Sequence, residues 1–187
     1  MIRLIIATDP TGIIGVKVRN SEGALEWKLP WHYTQDLRRF KKLTLGGTLV
    51  LGRRTFESLP GILPGRYHLI LTRDVFCEGF SDGAAGYTNS LNEALEMMKD
   101  IQEHTGENIW IAGGAQIYSM FLDSGAIEEI DHTIVPSVNL SEVKNLVEPV
   151  RFNIEGTLKG YELIDEERNQ ADPRLLHRRY RSAIPIQ

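Results

Sequence analysis

The stretch "NIWIAGGAQIYSMFL", residues 108–122, decides the architecture. Its first part is a short, apolar, β-branched-rich run that reads as a buried strand, and "GAQIYSMFL" at 114–122 reads as a helix. A strand that passes into a helix through two glycines is the repeating element of an α/β protein. Three further runs of the same character lie upstream: "IRLIIA" at 2–7, "TLVLG" at 48–52 and "YHLILT" at 67–72. Strands this apolar are covered on both faces, so the spacing predicts a mostly parallel central sheet flanked by helices on both faces.

Two more helices fit between the strands. "NSLNEALEMMKDIQ" places Leu91, Ala94, Leu95, Met98 and Ile101 at helical spacing behind an Asn/Ser N-cap. Residues 35–43 form the other, with Leu37, Phe40 and Leu43 expected on one face. The end of the chain differs: "GTLKGYELIDEE" and "PRLLHRRYRS" read as a C-terminal antiparallel strand pair joined by a polar loop around "RNQADP". The whole, residues 1–187, is expected to be one domain.

Composition excludes several classes. With 42% apolar and 25% charged residues the chain can bury a full core, and a net charge of −4 gives no general footprint for nucleic acid. The only cysteine, Cys77, has no internal disulfide partner, and no Cys/His spacing suggests zinc, so no metal is expected. The apolar run at the amino end is too short for a signal peptide, and no run reaches membrane-spanning length. The expectation is a cytoplasmic, soluble monomer without a membrane or nucleic-acid partner.

Open α/β sheets keep their ligands at the carboxyl ends of their strands. Four segments lie there: the stretch after 2–7, residues 52–58, residues 72–74, and "AGGAQ". Gly113-Gly114 would let backbone N–H groups approach a phosphate, although two glycines at such a turn also serve packing alone. Gly52 is followed by Arg53, Arg54 and Thr55, and Thr72-Arg73 ends another strand. Each arginine alone reads as a solvated charge; together, beside the Gly-Gly turn, they suit a pyrophosphate or a ribose phosphate. Arg66 follows a Pro-Gly turn and is either a strand-edge charge or a clamp for a carboxylate. Asp36 sits at a helix start, where the macrodipole by itself accounts for most aspartates.

In combination the segments say more. "LPWHYTQDLRRFKKLT" resembles the substrate-binding signature of the dihydrofolate reductase family. "VLGRRTFESLPGILPGR" resembles the family's G-R-x-T-[FW]-x-S…L-P-G-R block, "WIAGGAQIY" its cofactor turn, and "LIIATDPTGIIG" its first strand and loop. These blocks cover about the first two thirds of the chain in family order.

The resemblance implies NADPH-dependent reduction of 7,8-dihydrofolate to 5,6,7,8-tetrahydrofolate, feeding one-carbon metabolism and thymidylate synthesis, in an antifolate target. Asp36 would hold the pterin 2-amino group and N3 and favour its N5-protonated form, with Trp31 and Leu29 beside it in the catalytic set. Leu37, Phe40 and Leu63 would pack the folate rings, Arg66 would clamp the glutamate tail, and Ile5, Ala7, Ser58, Ala112 and Thr133 would complete substrate contacts. The implied cofactor contacts are Ala7, Ile14, Gly15, Gly52, Arg53, Arg54, Thr55, Leu71, Thr72 and Arg73, with Gly113, Gly114, Ala115, Gln116, Ile117 and Tyr118 around a cis Gly-Gly peptide.

The chain also departs from the family pattern. "VKVRNSEGALEWK" lengthens the loop expected to close over the nicotinamide, Gln116 replaces a more basic residue, and "VNLSEVKNLVEP" lacks a Gly-Asp-Thr pattern. Aspartate at 36 resembles bacterial or phage members. Two alternatives stand beside this reading: a fold-mate that reduces a riboflavin-precursor pyrimidine, and a pterin- or nucleotide-binding protein without turnover.

Overall fold

The computed structural model describes residues 1–73 and 85–184; Cys77 and Asp74 lie outside the described residues. The apolar runs form strands β1 (Ile2–Thr8), β4 (Thr48–Gly52), β5 (Tyr67–Leu71) and β7 (Ile109–Gly113). With β6 (Ala85–Thr88), β8 (Glu129–Ile134), β10 (Tyr161–Arg168) and β11 (Leu176–Ser182) they build an eight-stranded sheet of order β10-β11-β8-β1-β7-β4-β5-β6. Pairing is parallel from β8 to β6, and β11 and β10 add to β8 antiparallel. The expected fold class is therefore observed.

Successive strand residues point to opposite faces, and this alternation sorts the core. Leu4 and Ile6 of β1, Ile109 and Ile111 of β7 and Val50 of β4 pack on one face under α3 (Leu91–Thr105) and α4 (Ala115–Asp123). Ile5, Ala112, Trp110, Leu49 and Leu51 face the other way, under α1 (Thr34–Thr44) and α2 (Arg53–Glu57). Helix α3 starts at Ser90, whose side chain accepts the Glu93 N–H at 3.1 Å, and ends at Gly106 in the left-handed region at φ 69°.

Helix α1 corrects the expected stripe. Phe40 and Leu43 pack on the sheet, but Leu37 is 42% exposed; the buried positions are Asp36 and Thr44. Residues 36, 40, 43 and 44 share a face at about 100° per residue, and Leu37 lies at its edge.

Residues 16–28, expected to be a closing loop, instead complete a hairpin. Strands β2 (Ile13–Arg19) and β3 (Leu25–Lys28) pair antiparallel, and β9 (Leu146–Arg151) lies on the other side of β2. Alternation explains it: Val16 and Val18 are buried while Lys17 is half-buried and Arg19 exposed, and Ile13 joins the buried side across the bulge between Ile13 and Gly15. The turn is closed by Asn20, whose Oδ1 accepts the N–H groups of Glu22 and Ala24 at 3.0 and 2.9 Å. The region 137–153 thus supplies the partner strand of this second sheet, followed by α5 (Ile154–Thr157).

Phe121 of α4 is fully buried in the α3/α4 core. Phe121→Ala should destabilise the protein by about 3–5 kcal/mol through lost burial and the cavity left behind, read as a lower urea midpoint with an unchanged slope.

Candidate active site

The carboxyl ends of β1, β7, β4 and β5 converge on the face covered by α1 and α2, where the parallel register aligns Leu51 with Gly113 and Gly52 with Leu71. Gly113 and Gly114 are joined by a cis peptide bond at the start of α4. A Cβ at Gly113 would lie 2.9 Å from the Tyr118 ring, and one at Gly114 3.2 Å from Thr55 Oγ1. A Cβ at Gly52 would lie 3.1 Å from the Ile117 side chain. Glycine is thus the residue that fits where β4, α2, β7 and α4 meet. Tyr118 fixes this corner to β1 by donating its hydroxyl to the Ile5 carbonyl at 2.9 Å, and burial keeps that phenol protonated.

Thr55 is the third residue of α2, which begins directly at Arg53 with Gly52 as N-cap. Arg53 pairs with Glu57 one turn on at 2.6 Å, and the Arg54 guanidinium stacks on Trp27 of the hairpin at 4.8 Å. Ser58 is exposed and donates its hydroxyl to the Thr55 carbonyl at 2.7 Å. Arg73 is exposed, and the Thr72 N–H donates to the Thr88 carbonyl at 2.9 Å. Ala115 and Gln116 border a cavity of about 680 Å³ with Ser119, Arg151 and Asn153. Ile14 and Gly15 lie in β2, with Gly15 opposite Val150 of β9.

Asp36 occupies the first turn of α1, 8% exposed, over the end of β8. Burial pushes its carboxyl above the ordinary aspartate value, opposed by the neighbouring Thr133 hydroxyl and by the positive charge of Arg39. Thr133 pairs in register with Ala7 of β1 and is itself buried. Arg39, one turn along, donates to Asp131 of β8 at 3.1 Å. Trp31 is half-buried, and its indole Nε1 is enclosed without a protein acceptor.

Arg66 is 8% exposed, so it is no strand-edge surface charge. Its guanidinium donates to Thr44 Oγ1 at 3.2 Å and stacks on Phe40 at 5.9 Å, with Nε unpartnered and no carboxylate paired to it among the described residues. Burial lowers its affinity for the proton, as for any cation without an anion. Leu63 packs beside Phe40 on the same apolar cluster.

Most expected residues therefore converge: Ile5, Ala7, Ala112, Asp36, Phe40, Leu63, Arg66 and Thr133 around one face, and Gly52, Thr55, Gly113, Gly114, Ile117 and Tyr118 at its corner. Leu29 and Leu37 stand at 47% and 42% exposure, outside the apolar cluster. Sequence reading missed Arg39, Thr44 and Trp27; Thr44 is a helix i+8 position from Asp36, which helical spacing could have flagged.

Comparison with known proteins identifies the setting. The family profile described as dihydrofolate reductase matches residues 1–155. A dihydrofolate reductase from Mycobacterium leprae is 37% identical over 125 residues, 65% of this chain and 66% of that protein. The matched segment spans just under two thirds of the mycobacterial relatives' length. The type 8 dihydrofolate reductase of Escherichia coli is 30% identical over 84% of this chain and 83% of its own. Among solved structures, dihydrofolate reductase from Enterococcus faecalis, complexed with NADP(H) and RAB-propyl, shares the fold with TM-score 0.68. It is 23% identical and the match covers 97% of this chain and 96% of that one.

The displaced titration of Asp36 has a thermodynamic sign. A carboxyl whose folded value lies above its unfolded value holds more protons in the native state, so stability is lost as pH rises through that window. Asp36→Asn should therefore unfold at higher denaturant than wild type at pH 7, and the difference should close as pH falls below the ordinary carboxylate range.

Proposed function

Because this chain belongs to the dihydrofolate reductase family, we propose that it reduces 7,8-dihydrofolate to 5,6,7,8-tetrahydrofolate with NADPH. The observation that carries the assignment is a pair of buried, incompletely matched charges held by one helix: Asp36 at the first turn of α1 and Arg66 against its last turn at Thr44. Eight residues at 1.5 Å rise separate the two ends by about 12 Å, with the Phe40 ring between them. A substrate with an amidine-like edge at one end, an aromatic middle and a carboxylate at the other matches that series. A riboflavin-precursor pyrimidine has no glutamate tail and would not require Arg66 placed for one.

In this reading the Asp36 carboxylate accepts from the pterin 2-amino group and N3, a charge-assisted pair in a largely apolar setting. The negative charge favours the N5-protonated pterin, and the proton arrives through water bounded by the enclosed Trp31 indole. Ile5, Ala112 and Leu63 form an apolar wall against the rings, with Leu29 and Leu37 at its exposed edge. Arg66 meets the glutamate carboxylate with the guanidinium edge that has no acidic partner among the described residues. Ser58, already bonded to α2, helps shape the mouth of the pocket.

The residues present fit the cofactor: glycines at 52, 113 and 114 keep the backbone bare where β4 and α4 meet beside Thr55, and the packing of Ile117, Tyr118 and Thr55 against them leaves no room for a Cβ. When bound, NADPH supplies the hydride taken up at pterin C6. Ala7, Ile14, Gly15 and Tyr118 border the nicotinamide end, and Ala115, Gln116 and Ile117 contribute the helix start. Arg53, Arg54, Leu71, Thr72 and Arg73 serve the adenosine end, the arginines supplying positive charge suited to its phosphates. Among the described residues no helix is long and apolar enough to cross a membrane, and no group of acids, histidines and cysteines suits a metal. The same proposal takes the protein as a cytoplasmic monomer of one domain over residues 1–187, and the net charge of −4 supports a reading without a nucleic-acid partner.

Mixing the protein with NADPH and dihydrofolate should remove the cofactor's near-ultraviolet absorbance. Asp36→Asn should lower kcat by about 100-fold or more, since the amide cannot stabilise a protonated pterin; near-normal turnover would refute the role of the acid. Arg66→Leu should raise KM for dihydrofolate about 10- to 100-fold with kcat largely kept, and an unchanged KM would remove Arg66 from the site.

A further inference from the structure

Beside Thr133, on the neighbouring strand, lies a buried histidine. His177 of β11 is 2% exposed and pairs in register with Thr133, its Nδ1 lying 3.1 Å from Thr133 Oγ1. Its Nε2 lies 3.2 Å from Asn169 Nδ2 in the loop between β10 and β11. The direction of these bonds follows from the loop. Asn169 Oδ1 accepts the N–H groups of Ala171 and Asp172, both at 3.0 Å, so the amide nitrogen must be the atom turned toward His177. An amide nitrogen only donates; His177 Nε2 is therefore the acceptor, and the ring proton sits on Nδ1. Nδ1–H then donates to Thr133 Oγ1, which leaves the Thr133 hydroxyl proton for Asp36.

We propose that Asn169, His177 and Thr133 form a hydrogen-bonded chain of fixed polarity that presents the Thr133 proton to Asp36, making His177 and Asn169 positioning residues for the acid. The reverse tautomer would take the Thr133 proton away from Asp36 and set a lone pair against its carboxylate. The turn at 169–175 thus adds to the donor that offsets the burial of Asp36. This turn is itself held rigidly: Asn169 N–H donates to the Leu175 carbonyl at 3.0 Å, and Arg174 bonds Asp172 through two nitrogens at 2.8 Å each. Arg174 also stacks on Tyr33, the residue that precedes α1, at 5.1 Å, so the turn is fixed to the helix that carries Asp36.

The other charged and titratable groups around the pair are few. Asp36 faces Arg39 on its own helix, Tyr118 from α4, and Asp131 of β8 through Arg39. His177 faces Arg39 from α1 and Glu167 from β10. Burial and the Arg39 charge hold His177 below the ordinary histidine value, which keeps the ring neutral and the tautomer meaningful at neutral pH. Arg39 only donates, and Asp36 is the anionic acceptor that the Thr133 hydroxyl faces.

The inference deepens the reductase reading but is tested without it. In the wild-type protein, the imidazole nitrogen spectrum of His177 should show Nδ1 protonated and Nε2 bare; the opposite tautomer overturns the proposal. The carboxyl carbon of Asp36, followed by NMR against pH, should titrate about half to one pH unit higher in His177→Leu. It should return toward wild type in His177→Asn, whose amide restores a donor near Nδ1. An unchanged Asp36 titration in His177→Leu overturns the proposal, because a histidine that only fills the sheet would alter stability and not this value. Should that variant fail to fold, Asn169→Ala carries the same comparison. The acid limb of kcat/KM for dihydrofolate should move upward with the titration. Absence of turnover would count against the reductase reading, while the tautomer and titration measured by NMR would still decide the proposal.

Discussion

A carboxylate lifted out of water and held against a sheet face is the constraint around which this structure is arranged. Taking Asp36 to 8% exposure favours its neutral form, and only nearby donors and positive charge can return the balance toward the anion. The sources come from two elements, α1 and β8. The helix start contributes free N–H groups and the positive end of its dipole, β8 contributes Thr133, and Arg39 comes from the next turn of α1. None is local in the sense of a single loop, so the acid's charge state reports whether the helix and the sheet are in register.

The same face carries other charges that would be costly alone. Asp131 is 3% exposed and matched by Arg39; Glu129, at 2%, is matched by Arg3 from β1 and Arg181 from β11. Breaking such a pair leaves an uncompensated buried charge, which is worse than either full pairing or full removal. Arg66 is the exception among these buried ions, with Thr44 and the Phe40 ring but no acid among the described residues. In the proposed function the substrate carboxylate supplies the missing anion.

These pairs also explain what was and was not legible in the sequence. Strands β1, β4, β5 and β7 are buried on both faces and spell it out in unbroken apolar runs. Strand β8, "EIDHTI", is as deeply buried but reads as polar, because Glu129, Asp131, His132 and Thr133 find partners on neighbouring strands and helices. No local pattern announces such a strand, and Thr133 was placed through resemblance alone. His177 is hidden for the same reason: its significance rests on the β8–β11 register and on an asparagine eight residues earlier in a turn. Asp36 and Arg66 were visible as residue types in a motif, whereas their burial depends on α1 packing over the sheet. The misjudged Leu37 shows the limit of reading a helix by its apolar residues when its most buried positions are an aspartate and a threonine.

The lengthened segment 16–28 makes the same point from the opposite direction. Its extra residues form a ladder with β9, so β2 is anchored through Ile13, Val16 and Val18 while β3 is largely exposed. The anchored strand cannot swing freely without losing backbone hydrogen bonds to β9, and any movement therefore belongs to the outer strand and its turn. Trp27 of that outer strand lies between Lys17 and Arg54, at 5.7 and 4.8 Å from its ring. The hairpin thereby reaches the helix that follows Gly52, and the departure from family length ends on an arginine of the proposed cofactor set. What the sequence presents as an insertion in a loop is, in three dimensions, a second sheet leaning on the corner where the glycines meet.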